Sequence, residues 1–78
     1  MDIKFSKQAI KTISKMDSVM KKRIRQGVEN LPSGDIKQLQ GYDNSLRLRV
    51  GKYRIIYRQI SETEINVDKI DSRGDIYK

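Results

Sequence analysis

Arginine recurs along segment 46–58 on both sides of a glycine, where it alternates with apolar residues. Gly51 begins a two-residue turn, because glycine readily adopts the positive φ that a type II′ hairpin turn needs at its first position. The turn makes the segment a β-hairpin in which Arg49 faces Arg54. Side chains alternate along a strand, so the arginines share one face of the hairpin. The arginines on this face are Arg47, Arg49, Arg54 and Arg58.

Like charges that face each other across a strand pair destabilise it. We expect this face to carry no acid that could offset the repulsion. An anion should therefore compensate the arginines. The planar fork of arginine matches phosphate oxygens in a bidentate way, which makes a phosphodiester the favoured partner. The ordinary alternative is a solvated face, since arginine is common at protein surfaces and its stem covers apolar area.

The composition agrees with an anionic partner and excludes several kinds of site. The 78 residues are expected to form a single domain over 1–78, and 17 Lys and Arg against 10 Asp and Glu give a formal charge of +7. This charge favours nucleic acid, an anionic membrane surface or an acidic protein. Because the chain has no Cys and no His, we expect no disulfide, no metal site and no cofactor. The absence of a long apolar run and of a secretory signal indicates a cytoplasmic protein without membrane contact.

The N-terminal part of the chain is predicted to form a strand and two helices. Residues 2–5 alternate in polarity, which is typical of a strand. Ser6 and Asp17 are suitable N-caps for helices whose apolar residues recur at helical spacing, and Gly27 predicts a close approach of the second helix to the first helix or the sheet. The polar side of the second helix is basic, which is usual for a solvated face and also suits contact with phosphates. Its basic residues are Lys21, Lys22, Arg23 and Arg25.

The C-terminal half supplies the sheet. Residues 36–44 are predicted as a loop, the arginine hairpin follows, and a last strand contains Ile65 and Val67. Residues 71–78 show no periodicity. The order βααβββ predicts an α+β fold, with a small antiparallel sheet and the N-terminal helical hairpin packed on one face. The apolar side of the arginine hairpin should meet the helices, which leaves the arginines on the uncovered face.

Three aspartates follow the arginine hairpin, at positions 68, 71 and 75. Their spacing does not suit a metal site. A carboxylate there is better suited to orient an arginine through a fork-like hydrogen bond.

Several of these segments together resemble the RelE/ParE superfamily of toxins from bacterial toxin–antitoxin systems. They are the helical hairpin, the loop Gly-Asp-Ile-Lys-Gln-Leu-Gln-Gly-Tyr, the arginine hairpin, and the ending Asp-Ser-Arg-Gly-Asp-Ile-Tyr-Lys. The resemblance covers essentially the whole chain. It implies a small cytoplasmic toxin that a cognate antitoxin holds inactive. RelE-like members cleave mRNA in the ribosomal A site, whereas ParE-like members poison DNA gyrase, so the fold alone does not decide between these functions.

The resemblance also implies a catalytic site. Arg47 and Arg49 fall where RelE-like nucleases carry a pair of basic residues, and Arg54 matches their hairpin arginine. Arg73 and Tyr77 match the C-terminal arginine and tyrosine of that site. The chain departs from some relatives, which carry histidine or lysine at such positions and an additional C-terminal helix.

Metal-free RNA cleavage requires a ribose 2′-OH to attack its own phosphate while the enzyme neutralises the charge that develops. The arginines can supply positive charge, and Tyr77 is the titratable partner. For this role the positive field of the arginines must lower the pKa of Tyr77 from its reference value of about 10. We therefore predict a ribosome-dependent mRNA endonuclease. The alternatives are a gyrase inhibitor without catalysis and an inactive relative that binds only nucleic acid or an antitoxin. The expected contacts to mRNA and rRNA are Lys21, Lys22, Arg23, Arg25, Lys52 and Arg58.

Overall fold

The computed structural model describes residues 2–31, 33–38 and 45–72. Its helices are α1 (Lys7–Ser14) and α2 (Ser18–Glu29). Its strands are β1 (Asp2–Phe5), β2 (Asp35–Gln38), β3 (Ser45–Val50), β4 (Tyr53–Gln59) and β5 (Glu64–Ser72). Within these residues the strands form one sheet in the order β1-β5-β4-β3-β2. This arrangement confirms the α+β fold with an N-terminal helical hairpin. None of the helices described is long and apolar enough to cross a membrane.

The β3–β4 hairpin has the register that the sequence predicts. Arg49 pairs with Arg54, and Arg47 pairs with Ile56. Gly51 has φ of +59°, as the turn requires. The alternation of the two strands therefore divides the hairpin into an apolar side and an arginine side.

The apolar side of the sheet packs against both helices. The buried core joins α1 and α2 to strands β3, β4 and β5, and its largest fully buried side chains are Tyr57, Ile24, Leu48, Ile55, Ile65 and Ile70. Gly27 marks the closest approach, because a Cβ added there would lie 2.9 Å from Val50 Cγ2. The contact that Gly27 predicts is thus made with the sheet.

The start of α1 is tied to the second half of β5. The Ser6 side chain caps α1 by accepting a hydrogen bond from the Ala9 N–H at 3.0 Å, and its hydroxyl donates to the Asp68 carbonyl at 2.7 Å. The Gln8 amide donates to the Ile70 carbonyl and accepts from the Ile70 N–H, both at 3.0 Å. These contacts lie just beyond the Phe5–Val67 pair, where β1 ends. Side chains at the start of α1 therefore satisfy backbone hydrogen-bonding groups of β5 beyond the end of β1.

The sheet differs from the predicted one in three respects. Strand β2, Asp35–Gln38, includes the first residues of the segment 36–44 that is predicted as a loop. It forms an edge strand antiparallel to β3, since Ile36 packs on the core. Strand β1 pairs with β5 in parallel, so the sheet is mixed. Strand β5 continues to Ser72 and includes the first residues of the segment that has no periodicity. These differences arise from tertiary contacts that short segments do not reveal on their own.

Candidate functional site

One row of four charged residues crosses the open face of the sheet. The register places Asp35 of β2 beside Arg49 of β3, Arg49 beside Arg54 of β4, and Arg54 beside Asp71 of β5. Two arginines therefore face each other at the centre of the row and an aspartate closes each end. The repulsion between the arginines is compensated within the protein.

Asp35 joins the two arginines of β3. Its Oδ1 lies 3.7 Å from Arg47 Nη2, and its Oδ2 lies 3.6 Å from Arg49 Nε. The two arginines differ in access, because the Arg47 side chain is 7 % exposed and the Arg49 side chain is 40 % exposed. Arg49 is therefore the more accessible of the two to a ligand.

Asp71 has a similar position at the other end of the row. Its Oδ1 lies 3.5 Å from Arg54 Nε, and its Oδ2 lies 3.5 Å from Lys69 Nζ. Arg54 Nε and Asp71 Oδ1 are both buried, and neither makes a hydrogen bond in the described part of the chain. The attraction between them thus acts without the directed bond that a guanidinium and a carboxylate usually form.

Arg58 has a different environment from the other three arginines. Its Nε and Nη2 donate to Asp68 Oδ2 and Oδ1 at 2.6 and 3.0 Å, which closes the fork on one carboxylate. Hydrogen bonding to Asp68 raises the pKa of Arg58. Asp68 reaches this position because it is the extra residue where the β4–β5 register shifts between Ile56 and Tyr57. An aspartate that orients an arginine through a fork was expected among positions 68, 71 and 75, and Asp68 does so.

The expectation that the arginine face carries no acid is wrong. It considered the hairpin alone, whereas β2 and β5 bring Asp35, Asp68 and Asp71 to its arginines. Asp35 is missed because the residues that follow it, 36–44, are predicted as a loop and not as a strand. The alternation of Asp35, Ile36 and Lys37 was the available signal for a strand, and it is short.

The basic residues of α2 lie on the other side of the molecule from the row. Since α2 packs on the apolar side of the sheet, its exposed lysines and arginines face away from Arg49 and Arg54. A shallow groove of about 490 Å³ along α2 is lined by Lys21, Lys22 and Arg25, among others. Residues 6–31 contain seven basic and two acidic residues, so most of the excess positive charge belongs to the helical hairpin.

Arg23 and Lys52 both lie at the tip of the β3–β4 hairpin. A Cβ added to Gly51 would lie 3.3 Å from Arg23 Nη1, so the guanidinium covers the turn. Lys52 Nζ lies 5.5 Å from the centre of the Tyr53 ring, within the range of a cation–π contact. These two residues connect the basic side of α2 to the edge of the sheet.

The tyrosines of β4 belong to the core side. Tyr57 is buried, and burial raises its pKa, which is unfavourable for a role in proton transfer. Arg73 and Tyr77 lie outside the described residues, so their place in the site stays a prediction.

Comparison with known proteins identifies the fold and its family. Residues 3–77 match the family described as ParE toxin of the type II toxin–antitoxin system parDE. The chain belongs to the RelE/ParE superfamily of toxins. No curated protein sequence matches this toxin significantly.

Solved structures of RelE proteins share the fold of this toxin. The RelB–RelE complex from Methanococcus jannaschii is 32 % identical, with a TM-score of 0.77, and the match covers 95 % of this toxin and 94 % of that chain. The RelE–RelB complex from Pyrococcus horikoshii OT3 is 26 % identical, with a TM-score of 0.72 and 94 % of both chains covered. The E. coli RelBE complex, at 23 % identity, shows the same fold with a TM-score of 0.74, over 91 % of this toxin and 94 % of that chain.

Proposed function

We propose that this toxin is a ribosome-dependent mRNA endonuclease that stops translation by cleaving mRNA while it is being translated. The observation that carries the proposal is the placement of Arg49 and Arg54 at the centre of the row, with Arg47 beside them. In the part of the chain that the structure describes, no carboxylate closes the fork of any of these three as Asp68 closes that of Arg58. Arg49 and Arg54 are partly exposed and retain donors for phosphate oxygens, whereas Arg47 is buried and contributes its charge.

The proposed chemistry uses no metal. A ribose 2′-OH attacks the adjacent phosphate, the bond to the 5′ oxygen breaks, and the products carry a 2′,3′-cyclic phosphate and a free 5′-OH. Arg49 and Arg54 hold the phosphate in line and neutralise the charge that develops, while Arg47 adds positive potential from beside Arg49. Following the resemblance, Arg73 is a further phosphate ligand and Tyr77 moves a proton.

The remaining basic residues extend the proposed contact with the ribosome. Contacts to the phosphates of rRNA are proposed for Lys52 at the hairpin tip and for the basic residues of α2. The residues of α2 are Lys21, Lys22, Arg23 and Arg25. Arg58 belongs to this set by sequence, but its fork is occupied by Asp68, so we assign it mainly to holding β4 against β5. The proposed compartment is the cytoplasm, where ribosomes and mRNA are available.

A cognate antitoxin is the proposed protein partner. The solved relatives are toxin–antitoxin complexes in which RelE is bound to RelB. The excess positive charge of this toxin favours an acidic partner chain. Co-expression with such a partner should restore growth to cells that produce the toxin.

Inhibition of DNA gyrase without catalysis is the second candidate function. The match of residues 3–77 to the ParE toxin family favours it. A toxin of this kind needs a surface that binds gyrase and has no need of an arginine row that can hold a phosphodiester. The row is the reason why we place the nuclease first.

The test is to express the toxin and examine message and DNA in the same cells. The nuclease predicts mRNA cut within reading frames, with 5′-OH ends, and intact DNA. Purified ribosomes that carry a defined message should reproduce the cut when toxin is added. Double-strand DNA breaks with trapped gyrase and intact mRNA would instead establish the second candidate.

A further inference from the structure

The two aspartates at the ends of the row have a geometry that sets them apart from Asp68. Each gives one carboxylate oxygen to each of two basic groups, Asp35 to Arg47 and Arg49, and Asp71 to Arg54 and Lys69. The distances are 3.5 to 3.7 Å, whereas a charge-assisted hydrogen bond is about 2.7–2.9 Å long. The two carboxylates therefore attract the arginines without binding them closely.

The same sheet shows that a close pair is possible. Arg58 and Asp68 form two hydrogen bonds at 2.6 and 3.0 Å. In the row, by contrast, Arg54 Nε and Asp71 Oδ1 are buried without a hydrogen bond, as far as the described residues go. A buried donor that lacks a bond is costly, so Asp71 holds Arg54 less firmly than Asp68 holds Arg58.

We propose that Asp35 and Asp71 are resident counter-ions that set how tightly this face holds a nucleic-acid backbone. Without RNA they offset the repulsion between Arg49 and Arg54. A phosphodiester that arrives must compete with them for the same guanidinium groups, so they lower its affinity. Both act through the arginines and are positioning residues. The proposal rests on the proposed function only for the identity of the ligand as RNA.

One consequence concerns free RNA. The two aspartates contact four basic groups, Arg47, Arg49, Arg54 and Lys69, so they offset half of that positive charge. A short single strand then gains less from this face than the four cations alone would give. Tight binding requires further contacts elsewhere on the toxin, which a ribosome supplies and a free oligonucleotide does not.

The test measures binding without cleavage. The probe is a fluorescein-labelled single-stranded RNA with 2′-O-methyl groups, which lacks the attacking hydroxyl. Asp35→Asn and Asp71→Asn should each bind it roughly three- to tenfold more tightly at low salt, from the loss of one charge near an arginine. The slope of log affinity against log salt should steepen by about 0.7 for each additional phosphate contact. Asp2→Asn, an exposed aspartate at the far edge of the sheet, is the matched control with the same change in net charge.

Conservative variants separate charge from packing. Asp35→Glu and Asp71→Glu keep the carboxylate and should bind the probe as the wild type does. The proposal is overturned if the asparagine variants bind like Asp2→Asn, if the glutamate variants bind as tightly as the asparagine variants, or if no variant binds the probe. A toxin that shows the expected binding order yet never cuts a message would contradict the nuclease alone and leave the counter-ions established.

Discussion

Arg54 and Arg58 provide a matched comparison on one strand. Both lie on the open face of β4, so glutamine at either position removes the same charge from the same part of the sheet. Arg58 is closed on Asp68 by two hydrogen bonds, whereas Arg54 lies 3.5 Å from Asp71 without one. We expect Arg54→Gln to reduce the cleavage rate strongly and Arg58→Gln to leave it close to that of the wild type.

The size of the effect follows from the role of each side chain. Loss of one fixed donor to the charge of the transition state typically costs a factor of about 10² to 10³ in rate, and we expect this for Arg54→Gln. Arg54 and Asp71 attract each other at 3.5 Å without a hydrogen bond, so the loss of Arg54 breaks no directed bond to Asp71. Because Lys69 still neutralises Asp71, the Arg54→Gln variant should remain folded. Arg58→Gln should lower the melting temperature, since it leaves Asp68 without its bidentate partner.

The assay is single-turnover cleavage of a ribosome-bound message at saturating toxin, which separates the rate of the chemical step from binding. Thermal unfolding of both variants serves as the control for folding. Equal losses of rate in the two variants would contradict the distinction between a closed and an open arginine. A wild-type rate for Arg54→Gln would remove Arg54 from the proposed catalytic site.

Three further predictions test the rest of the molecule. Tyr77→Phe should slow single-turnover cleavage by about 10² to 10⁴ without weakening ribosome binding, and a wild-type rate would assign the proton transfer to another group or to water. Lys22→Ala should weaken ribosome binding and flatten its salt dependence while the rate at saturation stays the same, and an altered rate would refute a pure phosphate contact. Gln8→Ala should lower the free energy of unfolding by about 1–3 kcal/mol in urea titration, because both backbone groups of Ile70 lose their partner. The exposed Gln26→Ala is its control and should change little.

The arginine hairpin could be predicted in detail because its determinants are local. Gly51 fixes the turn, and the alternation on both sides fixes which residues face each other. The caps at Ser6 and Asp17 are local too, since each depends on a side chain and an N–H three residues later. Elements of this kind need no knowledge of distant parts of the chain.

The aspartates of the row could not be predicted in the same way. Asp35 depends on the pairing of a four-residue edge strand with β3, and Asp71 depends on the pairing of β4 with β5 across a register shift. Such short strands are decided by what they pack against rather than by their own propensity. The arginines were correctly placed on one face, while the identity of their compensating anions required the tertiary structure.

The row on the sheet and the basic residues of α2 form two separate surfaces. Their separation gives a physical reason why a toxin with this fold would act on a ribosome. The row lies on the open face of the sheet, and the basic residues of α2 lie beyond the core, in a molecule whose extents are 30 × 27 × 23 Å. Since the Debye length at physiological salt is about 8 Å, solvent-facing charges of α2 beyond the core are largely screened from the row, apart from Arg23, whose guanidinium covers the Gly51 turn. A short RNA at the row therefore gains less from α2 than a particle that is large enough to contact both surfaces. The proposed nuclease would then be weak on free RNA and strong on a message held by the ribosome, because only the ribosome presents both RNA surfaces at once.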